Sequence, residues 1–288
     1  MRIMTALAVG GIVSCAVALA DPQPNTPAET KVFDAGAPPP YSVTVGQIPP
    51  SRFEGHGRSG VAEINGDWAL PYFSDVWGGD VELGALLRSS FFMDAAGLDL
   101  PKQVAQLGVS GGWTWRYTNG TGLRVRLLPC ICSDLEHPDT DIFYLPASCA
   151  LAATLLPGLA GFGGIELRPG FERTIMPIVG LDWEITDYLR LKIGLPESRC
   201  TYQISRVWST GLGLDWRSTT FTVADRTWDR MTLEDFRVSA GAKCAVADQL
   251  KLIGDVGRVL ARNVERQGAA DVSIEDAWFA RVGIEGSF

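Results

Sequence analysis

Trp278-Phe279-Ala280-Arg281-Val282-Gly283-Ile284-Glu285-Gly286-Ser287-Phe288 closes the chain. Read backwards in twos, one face carries Phe288, Gly286, Ile284, Val282, Ala280 and Trp278. The other carries Ser287, Glu285, Gly283, Arg281 and Phe279. A period of two sends alternate side chains of a strand to opposite faces. An apolar face, a charged opposite face and an aromatic last residue fit the closing strand of an outer-membrane barrel. A soluble sandwich can end the same way, so the decision rests on whether the pattern repeats upstream.

It repeats from about residue 80 in twelve candidate strands. They run 80–92, 104–117, 121–132, 147–156, 160–168, 173–185, 189–195, 199–204, 208–217, 235–246, 250–262 and 276–288. The hairpin of 173–185 with 189–195 can be checked in register. Pairing Ile185 with Leu189 across Thr186-Asp187-Tyr188 puts Val179, Leu181, Trp183, Leu191, Ile193 and Leu195 on one face. The same register sets Glu184 opposite Arg190 and Asp182 opposite Lys192, and facing opposite charges stabilise a strand pair by about 0.2–1 kcal/mol each. Three-residue loops at 118–120, 205–207 and 247–249 likewise join strands that keep a single apolar face, and loops of that length are a common hairpin class.

Connections then alternate. Short ones fall at 118–120, 157–159, 186–188, 205–207 and 247–249; between them lie 93–103, 133–146, 169–172, 196–198, 218–234 and 263–275. With Phe288 on the periplasmic side, the short set faces the periplasm, as in outer-membrane barrels. Trp208 and Trp216 share one apolar face eight residues apart, about 20 Å at ~3.3 Å per residue and a tilt near 40°. Trp113, Trp115, Tyr117, Trp183 and Trp278 are further candidates for interfacial girdles. The fold expected is all-β, a closed antiparallel transmembrane β-barrel of about twelve strands, with ten as the alternative count.

The N-terminal part reads differently. Arg2, the apolar run Ile3 to Val17 and Ala18-Leu19-Ala20 form a signal peptide (residues 1–20) cleaved after Ala20. A lipobox-like Ile12-Val13-Ser14-Cys15, with a lipidated Cys15, is the alternative. Residues 21–58, centred on Pro38-Pro39-Pro40, have the composition of a flexible segment. Residues 21–79 are therefore expected as a periplasmic lead, with a plug in the barrel mouth as the alternative, and residues 80–288 as the barrel. No apolar run after residue 20 approaches the ~20 residues of a membrane helix, so a span has to be made of strands.

Met176-Pro177-Ile178-Val179-Gly180-Leu181-Asp182-Trp183, Leu191 to Pro196, Tyr202, Gly211 to Trp216, Glu234-Asp235-Phe236-Arg237 and Gly254 to Arg262 resemble an uncharacterised family. It is a domain of unknown function made of bacterial outer-membrane barrels, with a strand ending in P-x-x-G-x-x-W before a short hairpin ending in L-P. The resemblance covers roughly residues 160–288. It implies a barrel and an outer-membrane location, and no activity. Pro177 lacks a ladder donor and is expected to mark a bulge near the outer rim.

Net charge of -8 gives a nucleic-acid role no electrostatic support. Two histidines, His56 and His137, limit acid–base and metal chemistry. Cleavage after Ala20 leaves Cys130, Cys132, Cys149, Cys200 and Cys244, an odd and scattered set unlike a disulfide framework. They are expected as small strand residues, a disulfide at Cys130 or Cys132 being the alternative. No zinc pattern or cofactor motif is present. Gly108-Val109-Ser110-Gly111-Gly112 satisfies the nucleophile-elbow pattern but lies inside a proposed strand, so a hydrolase built on Ser110 and His137 is the weakest reading, and the chain is read as no enzyme. Glu136, His137, Asp139 and Asp141 make a poor calcium loop and read as a solvated one.

The charged faces supply the candidate lumen. Arg116, Arg124, Arg126, Asp182, Glu184 and Arg190 would line it, with Lys192, Arg237, Lys243, Arg281 and Glu285 on the later strands. The expected role is a narrow channel for small solutes or ions, selecting by charge and with no chemical step. A structural or surface-interaction barrel with a closed lumen is the alternative. Expected partners are outer-membrane lipids and the barrel-assembly machinery, the latter through the strand ending at Phe288. A homo-oligomer is admitted by the same pattern.

Overall fold

A computed structural model describes residues 41–53, 56–70, 73–93, 100–117, 120–136, 142–223, 229–267 and 271–286. Among the described residues eighteen strands occur. They are β1 (Tyr41–Phe53), β2 (His56–Ala69), β3 (Phe73–Val76), β4 (Gly79–Met93), β5 (Gln103–Arg116), β6 (Thr121–Leu127), β7 (Cys130–Ser133), β8 (Phe143–Tyr144) and β9 (Ala147–Leu156). Then follow β10 (Leu159–Leu167), β11 (Ile175–Thr186), β12 (Leu189–Leu195), β13 (Glu197–Gln203), β14 (Trp208–Thr222), β15 (Arg230–Ala247), β16 (Leu250–Arg266), β17 (Val272–Ile274) and β18 (Ala277–Gly286). Fourteen of them make an antiparallel ring in chain order, β6 and β7 counting as one bent strand. The ring closes where β1 pairs with β18 from Tyr41↔Gly286 to Gln47↔Ala280. Strands β3, β8 and β17 are short additions at the rims.

The count of about twelve is thus low by one hairpin. The missing pair, β1 and β2, lies inside the stretch expected as a flexible lead. Ser42, Thr44 and Gly46 alternate with Val43 and Val45 in β1, a period of two that the surrounding prolines mask. Pro49 and Pro50 are accommodated because the β1–β2 register shifts between Ile48 and Ser51, where the ladder needs no donor. The signal peptide, Cys15 and Phe288 lie outside the described residues.

From β4 onward the expected strands hold to within a few residues, except that β14, β15 and β16 run past their expected outer ends. Asp182↔Lys192 and Glu184↔Arg190 are register partners as expected. The turn is one residue tighter: Thr186, not Ile185, faces Leu189, and a bulge follows Glu184. Pro177 sits in regular register with Ile165, with no bulge there. Its β12-side neighbour ends at Leu195, opposite Val179, so that flank asks no N–H of it.

Alternation sorts the side chains. Val45, Val109, Leu151, Ile193, Leu212 and Val282 point outward, each more than half exposed. Large apolar residues cover much of the outside, as soluble monomers rarely allow. Near the end holding the termini stand Trp77, Trp113 and Trp115 (ring centroids 5.5 and 4.0 Å apart in succession), Trp183 and Trp208. Higher on β14, the Trp216 indole N–H donates to Glu234 Oε1 at 2.8 Å, beneath the Arg173 guanidinium.

The wall is uneven. Strand β15 has 18 residues and β12 has 7, about 45 Å against about 18 Å at a 40° tilt. Above β12 and β13 the edge of β14 would be bare. The 168–174 connection fills the notch, with Arg168 donating to the Ser218 carbonyl and the Glu172 N–H to Thr220 Oγ1 at 3.0 Å; beyond it the Asp134 N–H, just after β7, donates to the Thr222 carbonyl at 3.3 Å.

The seam generates a test. A Cβ at Gly283 would lie 2.2 Å from the Val43 carbonyl oxygen, whereas one at Gly163 meets nothing within 4 Å. Gly283→Ala should lower the unfolding free energy in urea by about 1–3 kcal/mol, and Gly163→Ala should stay within about 0.5 kcal/mol of the parent.

Candidate functional site

The lumen has two levels. The level nearer the start of β1 and the end of β18 is a largely polar cavity of about 730 Å³, reached from Ser42, Ser209, Lys251 and Glu285 at its entrance and roofed by Phe171 and Met176. Its charges include Arg126, Lys243, Arg281 and Glu285 from the set expected in the lumen. Strand geometry puts them there: each sits on the inward parity of its strand, two residues from the next inward side chain.

Most of these charges are paired. Lys243 Nζ lies 2.7 Å from Glu285 Oε2, and Arg281 Nη2 lies 2.8 Å from Asp255 Oδ2. Arg190 takes Asp182 in a fork of 2.9 and 3.0 Å, a diagonal pair rather than the two direct pairs the register suggests. Arginine's reach and planar fork favour the second carboxylate oxygen over the facing residue. Lys192 lies 6.0 Å from the centre of the Phe162 ring, and Glu184 stays exposed beside the turn. Arg116 of β5 pairs with Asp80 of β4, and Arg124 of β6 reaches over β5 to Glu82 of β4.

Arg237 stands apart from the others. It belongs to the second, upper level, where its guanidinium takes Glu63 at 2.7 and 2.6 Å and also Asp235. Arg262 Nε lies 3.1 Å from Asp235 Oδ1. Two carboxylates and two guanidiniums from β2, β15 and β16 thus make a neutral, almost fully buried cluster across the lumen, over the Phe279 ring. Charges can be buried at this depth only when matched and hydrogen-bonded.

Above that cluster the interior is apolar. Ile48, Val61, Phe92, Val104, Phe221 and Met231 converge from strands, and Leu100, Tyr144, Phe171, Val223, Val272 and Ile274 from the connections and rim strands. All are less than a tenth exposed. Tyr144 meets Phe171 edge-on at 4.9 Å and donates or accepts a 2.9 Å hydrogen bond with Thr222 Oγ1. Side chains therefore pack across much of the barrel's far half, beside a second cavity of about 660 Å³ lined by Phe171, Thr220, Thr232 and Glu265.

Glu63, Asp235, Arg262 and Arg88 escaped sequence reading. Glu63 sits in the stretch taken for a lead, and Asp235 and Arg262 at strand ends that extend further than their alternation. Ser110 lies mid-strand in β5, registered with Gly84, so the elbow pattern lacks its turn. His137, Asp139 and Asp141 lie outside the described residues. Among the described residues no group of three metal-ligating side chains forms, and Cys130 and Cys132 are free thiols 3.8 Å apart.

Breaking one member of the buried cluster leaves a charge stranded. Arg237→Met should cost about 3–5 kcal/mol of stability in urea unfolding, against about 1 kcal/mol or less for Arg258→Met, whose partner Asp276 is exposed.

No known family model matches the chain, and no curated protein matches it in sequence. Among solved structures, the fold is similar to a NanC porin structure, at 8% identity over 86% of this chain and 100% of that one, TM-score 0.42. It is similar to the transport unit of the autotransporter AIDA-I from Escherichia coli, at 11% identity over 86% and 89%, TM-score 0.36. A third is the P. putida toluene transporter TodX, at 9% identity over 89% and 92%, TM-score 0.36. Likeness at these scores carries nothing about solute or mechanism.

Proposed function

We propose that the chain is a bacterial outer-membrane barrel that passes small solutes or ions, with its outer half shut in this conformation. The observation that carries the reading is a polar cavity of about 730 Å³ enclosed by a closed sheet whose outside is apolar. A closed ring leaves no unpaired edge to lipid, where each orphaned backbone group costs several kcal/mol. The termini and short turns would lie in the periplasm, so the cavity would open inward and the apolar fill would face the cell exterior. Fourteen strands fall between the eight that side chains fill and the sixteen to eighteen that leave an aqueous channel. Part of the fill comes from connections (Leu100, Phe171, Val223) rather than from the wall, which makes it displaceable.

The same fill favours a second reading, a surface barrel with a permanently closed lumen whose tall β14–β16 wall meets an external partner. Bilayer recording separates the two. The channel reading predicts small, rare openings from the refolded protein and longer ones from a Leu100→Ser, Phe171→Ser variant. Silence from both at every voltage would leave the surface barrel. Export is tested independently: the mature protein should begin at Asp21 and fractionate with the outer membrane, shifting on a gel when heated. An unshifted protein in the soluble fraction contradicts the membrane assignment.

A further inference from the structure

Eight cationic side chains line the cavity: Arg88, Arg126, Arg168, Arg199, Arg217, Lys243, Lys251 and Arg281. Six have a carboxylate oxygen within 4.0 Å, on Glu166, Glu197, Asp215, Glu285 (shared by the two lysines) and Asp255. Arg88 and Arg126 have none among the described residues, and both are exposed to the cavity. We propose that these two guanidiniums form a binding site for small oxyanions, solutes bearing carboxylate or phosphate groups. The proposal deepens the solute-passage reading and rests on it for its physiological role.

The surroundings of Arg88 point the same way. In register it stands between Asn65 of β2 and Gln106 of β5. Both line the cavity, and the Asn65 side-chain amide nitrogen is buried with no acceptor. A buried donor without an acceptor is destabilised, and an acceptor beside Arg88 would relieve it. Gln106 turns its amide nitrogen to Cys130 Sγ at 3.6 Å, which leaves its amide oxygen buried without a donor on the other side of Arg88 and gives that guanidinium a neutral neighbour, not a counter-charge. Arg126 is flanked in register by Gly112 and Ser148, and the acidic groups that act on it, Asp67 and Glu82, make no ion pair with it within 4.0 Å. Elsewhere in the lumen cations are matched by carboxylates of the wall. Here two planar forks, the geometry that takes carboxylate and phosphate by paired hydrogen bonds, are left for a mobile anion.

Calorimetric titration of the refolded protein in uncharged detergent at low salt tests the site, with inorganic phosphate, succinate and glucose as probes. Binding of phosphate, of succinate or of both supports it and tells which oxyanion is taken; glucose should give no heat. Arg88→Gln and Arg126→Gln should each weaken binding about tenfold, the worth of one charge-assisted hydrogen bond. Arg258→Gln, on the outer surface, should leave it unchanged. Arg88→Lys and Arg126→Lys keep the charge without the fork and should give an intermediate loss, which also covers a glutamine variant that fails to fold. Absence of phosphate and succinate binding, or undiminished binding in the folded double variant, overturns the proposal. Binding by a protein that carries no current would remove the channel and leave the site; current without binding would do the reverse.

Discussion

The pairing of β1 with β18 is the constraint on which the other features depend. Strands of an open sheet present a row of unpaired N–H and C=O groups, intolerable in a membrane and prone to association in water. From Tyr41↔Gly286 to Gln47↔Ala280 that row is consumed, and closure fixes an inside and an outside. Once both exist, a period of two suffices to place Val282 on the outside and Arg281 beside Asp255 within. Gly283 shows how tight the seam is, since its missing Cβ leaves room for the Val43 carbonyl.

Closure also explains why charge and apolar bulk separate along the axis. Inside the ring, Lys243, Glu285 and Arg281 line a cavity open toward the start of β1 and the end of β18, and there the ion pairs stay partly exposed. Deeper in, water gives out and only a balanced set survives, Glu63 and Asp235 against Arg237 and Arg262. Beyond it the strand ends and returning connections bury phenylalanine, methionine and valine against one another. The low wall at β12 and β13 would breach this packing had Arg168 and the Glu172 backbone not been fastened to the free edge of β14.

Much of this was legible in the sequence, and for identifiable reasons. Glu184 facing Arg190 and Asp182 facing Lys192 follow from an apolar face that admits one register. The alternation of short and long connections followed from the same strands. What stayed hidden involves choices alternation cannot see. Arg190 chose Asp182, a diagonal partner, because a long fork samples more than the facing position. Strand β1 was hidden by Pro49 and Pro50, which a register shift absorbs. The buried cluster needed Glu63 brought to Arg237, residues 174 apart in the chain, and Arg88 stands out only because, unlike most cations of the cavity, it makes no ion pair within 4.0 Å.

Hydrogen exchange read by mass spectrometry on the refolded barrel addresses the closure most directly. Amides of 42–47 and 280–285 should be protected as strongly as those of β15 and β16, the longest paired strands. Rapid exchange across 42–47 with β15 and β16 still protected would mean that the ring is open at β1, and the inside-outside division built on it would fall.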